Sequence, residues 1–368
     1  MSDQSHQLLS PRRRTRQVRV GSVRVGGDAP ISVQSMTKTD SRDVEATVHQ
    51  IYDYAAHGCE IVRVSVPTKK AGEVFHEICS RSPIPVVADI HFDYRLALVA
   101  ADGGAACLRI NPGNIGGQDR VRAVVEKAGE KGISLRVGVN AGSLEKDLLE
   151  KFGSATPEAM VASALRHLEV LDREGFQEVK ISLKASDVPR TVQAYRLLAR
   201  QVDVPLHLGI TEAGTPFGGT IRSAMGLGIL LAEGIGDTIR VSLTGKGEEE
   251  CDVGHEILRG LGLREGGFRM VSCPSCGRVQ IDLDRVAHEI EAGLKAIGQE
   301  NVTYAVMGCV VNGPGEARDA DLGVAGGAGE GLIYRRGELI RKVKEEDLVP
   351  AFLEEARRLK AELDGAKV

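Results

Sequence analysis

Short runs of β-branched and other apolar residues alternate with longer amphipathic segments over most of this chain. Eight of the runs have the length of buried strands, and they lie at residues 31–36, 60–66, 84–89, 105–110, 133–139, 178–183, 205–210 and 237–243. The segments between them, such as 43–57 and 157–174, have helical periodicity and are followed by Gly58 and Gly175. Glycine at this position is typical of a helix end. The pattern predicts eight consecutive strand–helix units.

A repeated strand–helix unit predicts an α/β fold with a parallel sheet, and eight units are the number that closes such a sheet into a TIM-like (β/α)8 barrel. An open doubly wound sheet gives the same alternation and is the alternative. We assign the barrel to residues 17–262. The alternation stops after this point, and residues 263–368 predict a smaller α+β domain.

Four segments define the smaller domain in the sequence. A helix is predicted near 284–297, a strand at 302–306, two short strands around 331–343 and a charged helix from about 345 to 363. The glycine-rich stretch 323–331 is interpreted as a plain turn, because no helix begins behind it to make a phosphate site.

Residues 1–16 are polar and carry Arg12, Arg13, Arg14 and Arg16. We expect a disordered basic tail; an organellar transit peptide is the alternative, and Asp3 argues against it. No apolar stretch reaches the length of a spanning helix or forms a signal peptide, which favours a cytoplasmic protein without a membrane partner.

Composition narrows the function classes. The chain has 368 residues, with 47 basic and 51 acidic side chains and a net charge of -4, so no overall positive field favours nucleic acid. Seven cysteines in a chain without a secretory signal fit a reducing compartment, where thiols stay free or bind metal.

Charged residues interrupt strands that should be apolar if both sheet faces are covered. The cations in or next to the predicted strands are Arg63, Arg109, Arg136, Lys180, Lys184 and Arg240. Because strand side chains alternate, Asn140 shares a face with Arg136, and Ser242 shares one with Arg240.

Buried cations require acidic partners or an anionic ligand. Salt bridges to Asp89, Glu212 or helix residues are one interpretation. The other is a bis-anionic substrate such as a diphosphate or a sugar phosphate, because barrel enzymes place their active sites at the C-terminal ends of the strands.

Two strand ends carry candidate acid–base groups. Asp89 and His91 end the third predicted strand, and Thr211 and Glu212 end the seventh. A structural role is the alternative for His91, and it is the favoured interpretation of His207 within the seventh strand.

Three cysteines predict a metal centre in the smaller domain. Cys273 and Cys276 form a CxxC pair, and Cys309 follows after 32 intervening residues. A structural zinc site normally has four Cys or His ligands. Three thiolates therefore favour an iron–sulfur cluster in which one iron has another ligand, for which Glu316 is the candidate. A zinc-dependent, non-redox barrel enzyme acting on a phosphorylated metabolite stays the alternative function.

Six motifs together resemble the family of 4-hydroxy-3-methylbut-2-enyl diphosphate synthases. They are VQSMT at 33–37, VADIHF at 87–92, LRINPGN at 108–114, GITEAG at 209–214, SCPSCG at 272–277 and MGCVVNGPGE at 307–316. The resemblance runs from about residue 17 to residue 345, and the length suits the two-domain bacterial form.

This resemblance implies an activity. The family reductively opens 2-C-methyl-D-erythritol 2,4-cyclodiphosphate to the linear allylic diphosphate in the non-mevalonate isoprenoid pathway. Two electrons arrive singly from reduced flavodoxin or ferredoxin, and water is lost. The resemblance also implies a homodimer in which the cluster domain of one chain caps the barrel of the other.

The resemblance further implies roles for individual residues. Cys273, Cys276 and Cys309 would hold one 4Fe-4S cluster per chain, with Glu316 on the remaining iron. Glu212 would be the catalytic proton donor. The implied substrate-binding residues are Arg63, Asp89, His91, Arg109, Arg136, Asn140, Lys184, Thr211, Arg240 and Ser242, with Asp89 and His91 either touching the substrate or positioning the cations.

Overall fold

The computed structural model describes residues 9–298, 301–309, 311, 315 and 319–365. The chain divides between Arg264 and Glu265 into two compact units. Each unit has a hydrophobic core of its own.

The first unit contains eight parallel strands. They are β3 (Ser32–Met36), β4 (Ile61–Ser65), β5 (Val86–Asp89), β6 (Cys107–Ile110), β7 (Ser134–Asn140), β8 (Val179–Lys184), β9 (His207–Leu208) and β10 (Thr238–Ile239). Their order is β8-β7-β6-β5-β4-β3-β10-β9. A bridge between Ile181 and Leu206 joins the two ends of this order, and the Ile181 N–H donates to the Pro205 carbonyl over 3.0 Å. The strands thus form a nearly closed barrel, which confirms the predicted fold.

Helices follow the barrel strands as the alternation predicts. They are α1 (Val44–Ala56), α2 (Lys69–Arg81), α3 (Tyr94–Asp102), α4 (Pro112–Ile115), α5 (Gln118–Lys131), α6 (Lys146–Phe152), α7 (Pro157–Arg173), α8 (Val188–Ala199), α9 (Pro216–Ala232) and α10 (Gly247–Gly260). Several begin at a residue whose side chain accepts a backbone N–H, such as Asp43, Thr68 and Thr156. These caps explain why the predicted helix starts lie close to the observed ones.

A short antiparallel hairpin, which the sequence pattern did not predict, precedes the barrel. Its strands are β1 (Gln17–Val20) and β2 (Val23–Gly26). The hairpin and residues at the beginning of three barrel strands share a small apolar cluster, which consists of Val18, Val20, Val25, Ile61, Val87 and Cys107. The hairpin therefore covers the N-terminal end of the barrel.

The segment before the hairpin is bonded to the barrel, so the expectation of a disordered tail is wrong for residues 10–16. Arg12 Nη2 donates to Asp237 Oδ1 over 2.8 Å, and Arg13 Nη2 donates to the Val204 carbonyl over 2.6 Å. The Arg16 N–H donates to the Asp203 carbonyl over 2.9 Å. The physical reason is Asp237, a carboxylate with 1% of its side chain exposed, which requires cationic partners. Residues 1–8 lie outside the described residues.

In its described residues, the second unit consists of a five-stranded sheet and two long helices. Its strands are β11 (Phe268–Ser272), β12 (Val302–Met307), β13 (Leu322–Gly327), β14 (Glu330–Arg335) and β15 (Glu338–Lys344), in this spatial order. The first three are parallel to one another, and the last two are antiparallel to their neighbours. The helices are α11 (Leu283–Ile297) and α12 (Leu348–Gly365). Among the described residues of both units, no helix has the length and apolar character needed to cross a membrane.

The glycine-rich stretch 323–331, interpreted above as a plain turn, is a turn only in part. Its first half belongs to strand β13, and only the residues before Glu330 turn the chain. A Cβ at Gly326 would lie 2.7 Å from the Ile281 side chain. Glycine here therefore permits close packing within a strand, a role that the sequence pattern does not distinguish from a turn.

The N-terminal arginines provide a test of the fold. We expect the double change Arg12→Ala and Arg13→Ala to destabilise the barrel by about 2 kcal/mol, because it leaves Asp237 buried without a cation. Thermal unfolding would measure this as a fall of several degrees in Tm. Arg14→Ala is the matched control, since Arg14 is exposed, and an equal loss in both variants would contradict the assignment.

Candidate active site

Four consecutive barrel strands place charged side chains next to one another. The register pairs Asp89 on β5 with Arg109 on β6, Arg109 with Arg136 on β7, and Arg136 with Lys180 on β8. Neighbouring residues of parallel strands direct their side chains to the same face of the sheet. All four residues are buried, and Arg136 contacts Gln34 on β3 and His207 on β9, so this row lies inside the barrel.

Further predicted residues lie nearer the C-terminal ends of the strands. Asn140 and Lys184 are register partners at the ends of β7 and β8. Arg240 follows β10 directly, and Ser242 lies two residues beyond it. Arg63 on β4 lies 3.7 Å from Asp89 through its Nε atom. The structure thus gathers the cations predicted from the sequence on one barrel face.

Asp89 is the carboxylate at the centre of these contacts. Its oxygens lie 3.2 Å from Arg109 Nη1, 3.7 Å from Arg63 Nε and 3.2 Å from His91 Nε2. Only 2% of its side chain is exposed, whereas His91 is half-exposed at the mouth. Burial alone would raise the pKa of Asp89, but Arg63, His91 and Arg109 together hold it below the ordinary value.

A second buried carboxylate, Glu250 on α10, was missed in the sequence. It accepts a hydrogen bond from Ser35 Oγ over 2.9 Å and lies 3.0 Å from Lys38 Nζ. Its distance to Arg240 Nη2 is 3.8 Å. The expected neutralisation by acids therefore takes place in part, through Asp89 and Glu250.

The acids do not neutralise every cation. Among the described residues, Arg136, Lys180 and Lys184 have no acidic side chain within 4.0 Å. Arg136 Nη1 instead faces Gln34 Oε1 and His207 Nε2, each at 3.3 Å. The six predicted cations and Lys38 thus outnumber two carboxylates, and the excess positive charge favours an anionic ligand.

Burial and the close approach of other cations lower the pKa values of Lys184 and Arg136. Burial lowers the pKa of Lys184 far below its ordinary value, and the nearby Arg240, Arg136, Arg63 and Arg109 lower it further. Burial and neighbouring arginines also lower the pKa of Arg136 to about 10. Burial lowers the pKa of His207, and Arg136 adds to the effect, so His207 stays neutral and accepts from that arginine.

The loop after β9 carries Thr211 and Glu212 at the same end of the barrel. Glu212 is exposed and has a φ of 51°, a conformation that costs an L residue about 1–3 kcal/mol and is enriched at functional sites. Arg222 Nη1 donates to the Ala213 carbonyl over 2.6 Å and fixes the loop. The Thr211 N–H donates to the Ala185 carbonyl over 3.2 Å, which ties the loop to the segment after β8.

Three cysteines mark a second candidate site, in the second unit. Cys273 directly follows β11, and Cys309 lies two residues after β12. Since these strands are parallel neighbours, their ends lie at one sheet edge. The Gly308 N–H donates to Cys273 Sγ over 3.3 Å. Cys276 is exposed, and the N–H of Arg278 lowers its pKa toward the thiolate that binds metal.

The donors at this edge fit an iron–sulfur cluster in kind, because all three cysteines are free. A cavity of about 270 Å³ beside Cys273 is lined also by Ser275 and His288. Within the part of the chain that the structure describes, no three His, Cys, Asp or Glu side chains lie close enough to hold a metal ion. Glu316, the predicted ligand of the remaining iron, lies outside the described residues.

Comparison with known proteins identifies the family. Residues 15–255 match the family model of the GcpE TIM-barrel domain, and residues 269–358 match that of the GcpE protein C-terminal domain. This chain belongs to the GcpE family. The two matches include the strand cations and the three cysteines of the second unit.

Several GcpE relatives match nearly the whole chain. A protein of Geobacter sulfurreducens is 60% identical over 349 residues, which cover 95% of this chain and 99% of the relative. One from Clostridium perfringens is 55% identical, covering 93% and 98%, and one from Symbiobacterium thermophilum is 54% identical, covering 96% of each. All three are named 4-hydroxy-3-methylbut-2-en-1-yl diphosphate synthase (flavodoxin). The family resemblance predicted from the motifs is confirmed.

Lys180 gives the GcpE barrel a pH-dependent stability. Its side chain is fully buried, and burial lowers its pKa to about 8. Between about pH 8 and pH 10 the unfolded chain therefore binds more protons at this residue than the folded chain. The destabilisation that Lys180 causes in the folded protein therefore decreases as pH rises.

We expect Lys180→Met to stabilise the protein at pH 7 by about 3 kcal/mol, and the gain to vanish near pH 10. Urea unfolding of both proteins at several pH values measures the difference. Lys70→Met is the control, since Lys70 is exposed on α2. A gain that does not change with pH would show that Lys180 is not buried as an ionisable group.

Proposed function

We propose that this protein forms 4-hydroxy-3-methylbut-2-en-1-yl diphosphate from 2-C-methyl-D-erythritol 2,4-cyclodiphosphate, in the non-mevalonate isoprenoid pathway. The reaction takes up two electrons and two protons, breaks one ring carbon–oxygen bond and releases a hydroxyl group as water. The names of the GcpE relatives state this product and support the proposal.

One observation carries the proposal: a buried set of cations exceeds its carboxylates at the barrel end where such enzymes bind substrate. We assign the diphosphate to side chains of this set and its rim, which are Arg63, Arg109, Arg136, Asn140, Lys184 and Arg240, with hydrogen bonds from Thr211 and Ser242. Burial strengthens each charge–charge attraction, and the rigid strands hold the donors in place before the substrate arrives.

Asp89 and His91 complete the proposed binding site in different ways. Asp89 lies beneath the arginines and contacts both Arg63 and Arg109, so it orients their guanidinium groups. His91 has Nε2 3.2 Å from Asp89 and Nδ1 3.4 Å from Arg109 Nη1, and we assign its half-exposed ring edge a contact with the anion at the mouth. This division gives one residue a positioning role and the other a substrate contact.

Glu212 is the proposed proton donor. Its exposed carboxyl belongs to a loop that Arg222 fixes, and its backbone is held in an unfavourable conformation. Strain of this kind persists where the surrounding structure needs a side chain in one direction. A carboxylic acid so placed can deliver a proton near the carbon skeleton of a substrate whose phosphates lie on the strand cations.

Cys273, Cys276 and Cys309 are the proposed ligands of one 4Fe-4S cluster per chain, with Glu316 on the fourth iron. Such a cluster supplies single electrons and a Lewis-acidic iron. The lowered pKa of Cys276 and the N–H donated to Cys273 support thiolate ligands at this edge. We further propose reduced flavodoxin or ferredoxin as electron donor, which agrees with the flavodoxin in the names of the relatives.

The remaining proposals concern the state of the protein in the cell. We propose that the protein is a homodimer, and sedimentation equilibrium measures this directly. We also propose that it is located in the cytoplasm, because its seven free thiols stay reduced there. The protein would bind neither nucleic acid nor membrane.

Anaerobic turnover tests the function. The holoenzyme is mixed with the cyclodiphosphate and dithionite, and the linear diphosphate is followed by phosphorus resonance. Product formation in a protein that contains iron supports the proposal. A colourless protein that contains stoichiometric zinc and releases no linear diphosphate would instead favour the non-redox alternative.

Cys309→Ser is expected to abolish both the cluster and turnover, because a hydroxyl is a far weaker iron ligand than a thiolate. Iron content and the visible absorption of the anaerobic protein measure the loss. Cys79→Ser is the control, since burial raises the pKa of Cys79 to about 12 and keeps it a thiol. A full cluster spectrum in the Cys309 variant would overturn the ligand assignment.

Arg109→Ala is expected to weaken binding of the cyclodiphosphate about 10- to 100-fold, the loss that follows from removing one charge-assisted hydrogen-bonding group. Isothermal titration calorimetry of the anaerobic holoenzyme measures the dissociation constant. Arg95→Ala, which removes an exposed arginine paired with its neighbour Asp93, should leave it unchanged. Equal affinity in all three proteins would make Arg109 a structural residue.

A further inference from the structure

Gly138 lies in the middle of β7, beside the guanidinium group of Arg109. A Cβ built on Gly138 would lie 2.6 Å from Arg109 Nε, 2.8 Å from Nη2 and 3.1 Å from Cζ. Contacts below 3.0 Å do not occur between real Cβ atoms and their neighbours. Arg109 in its present position therefore requires glycine at 138.

The backbone does not explain this glycine. The φ of Gly138 is not in the left-handed region, and the residue pairs regularly with Ser182 on β8. Glycine within a strand destabilises a protein by about 0.5–1 kcal/mol relative to alanine. Since there is neither a turn nor a bulge at this position, the space that the Arg109 side chain occupies is the feature that explains glycine at 138.

Arg109 is held on its other side by acidic and imidazole groups. Its Nη1 atom lies 3.2 Å from Asp89 Oδ1 and 3.4 Å from His91 Nδ1, and 8% of its side chain is exposed. A methyl group at 138 would push the guanidinium away from β7. The arginine would have to change its rotamer or its contact with Asp89, because its Nε and Nη2 atoms are the nearest atoms to the added methyl group.

A similar arrangement occurs next to this one in the barrel, between Gly209 directly after β9 and Lys184 at the end of β8. A Cβ at Gly209 would lie 2.9 Å from Lys184 Nζ, and Gly209 also has no left-handed φ. It would lie 2.8 Å from the Arg240 carbonyl as well, so a change at this position would also disturb the backbone. Gly138 meets only a movable side chain and gives the cleaner experiment.

We propose that Gly138 is a positioning residue: it sets the place of the Arg109 guanidinium and through it the affinity for the substrate diphosphate. The proposal rests on the proposed function, in which Arg109 binds that diphosphate. Since the clash involves the end of a flexible side chain, Gly138→Ala leaves the barrel folded and changes the site.

The test measures the dissociation constant of the cyclodiphosphate for anaerobic holoenzyme by calorimetry. Gly138→Ala is expected to weaken binding about 10-fold, with unchanged iron content and Tm. Gly129→Ala on α5 is the matched control, because a Cβ there meets no atom within 4 Å. Unchanged affinity in Gly138→Ala, with the expected loss in Arg109→Ala, would overturn the proposal.

The double variant Arg109→Ala/Gly138→Ala separates a positioning role from a general effect on the barrel. Without the guanidinium the added methyl group meets no clash, so the double variant should bind the substrate as Arg109→Ala does. A further 10-fold loss in the double variant would show that Gly138 acts independently of Arg109 and would overturn the proposal. If Arg109→Ala itself binds normally, the diphosphate assignment fails, which is a distinct outcome.

Discussion

The structure depends on an excess of buried positive charge inside the barrel. Cations from four strands and from the residue after a fifth outnumber two carboxylates, Asp89 and Glu250. Taking a charge out of water costs several kcal/mol when no partner compensates it. The apolar core between strands and helices must offset that cost in the free protein. A bound diphosphate would replace the missing counter-charge, so ligand binding and stability are linked through the same side chains.

The two ends of the barrel differ in whether their buried charges are neutralised within the chain. At the N-terminal end Asp237 is buried, and Arg12 and Arg13 both reach it, so its charge is balanced within the chain. At the C-terminal end Lys184 has no acidic partner among the described residues. Barrels commonly keep stability at the first end and function at the second. The N-terminal segment and hairpin belong to the former, which is why the arginine-rich start of the chain packs against the strands.

Apolar runs made all eight barrel strands predictable, and the same runs revealed Arg109 and its neighbours as exceptions. What the sequence could not give was long-range pairing. Asp237 becomes a buried carboxylate only in the folded chain, so its pairing with Arg12 could not be predicted from the sequence. Glu250 is one of three successive glutamates at the start of α10, and only the fold decides which of them points inward. Gly138 looks like an ordinary weak strand residue until the course of the Arg109 side chain is known.

The cation site and the cysteine site differ in what holds them together. Strands and close packing fix the cations, and Gly138 shows that even the space for one guanidinium is built into the backbone. The cysteines lie in short segments after β11 and β12, where the paired strands bring Cys273 and Cys309 to one edge but leave Cys276 exposed. Thiolates without a metal repel one another, and metal binding supplies the free energy that assembles such a site. We therefore expect binding of an anion to change the barrel little, and metal binding to change the segment of Cys273 and Cys276 more.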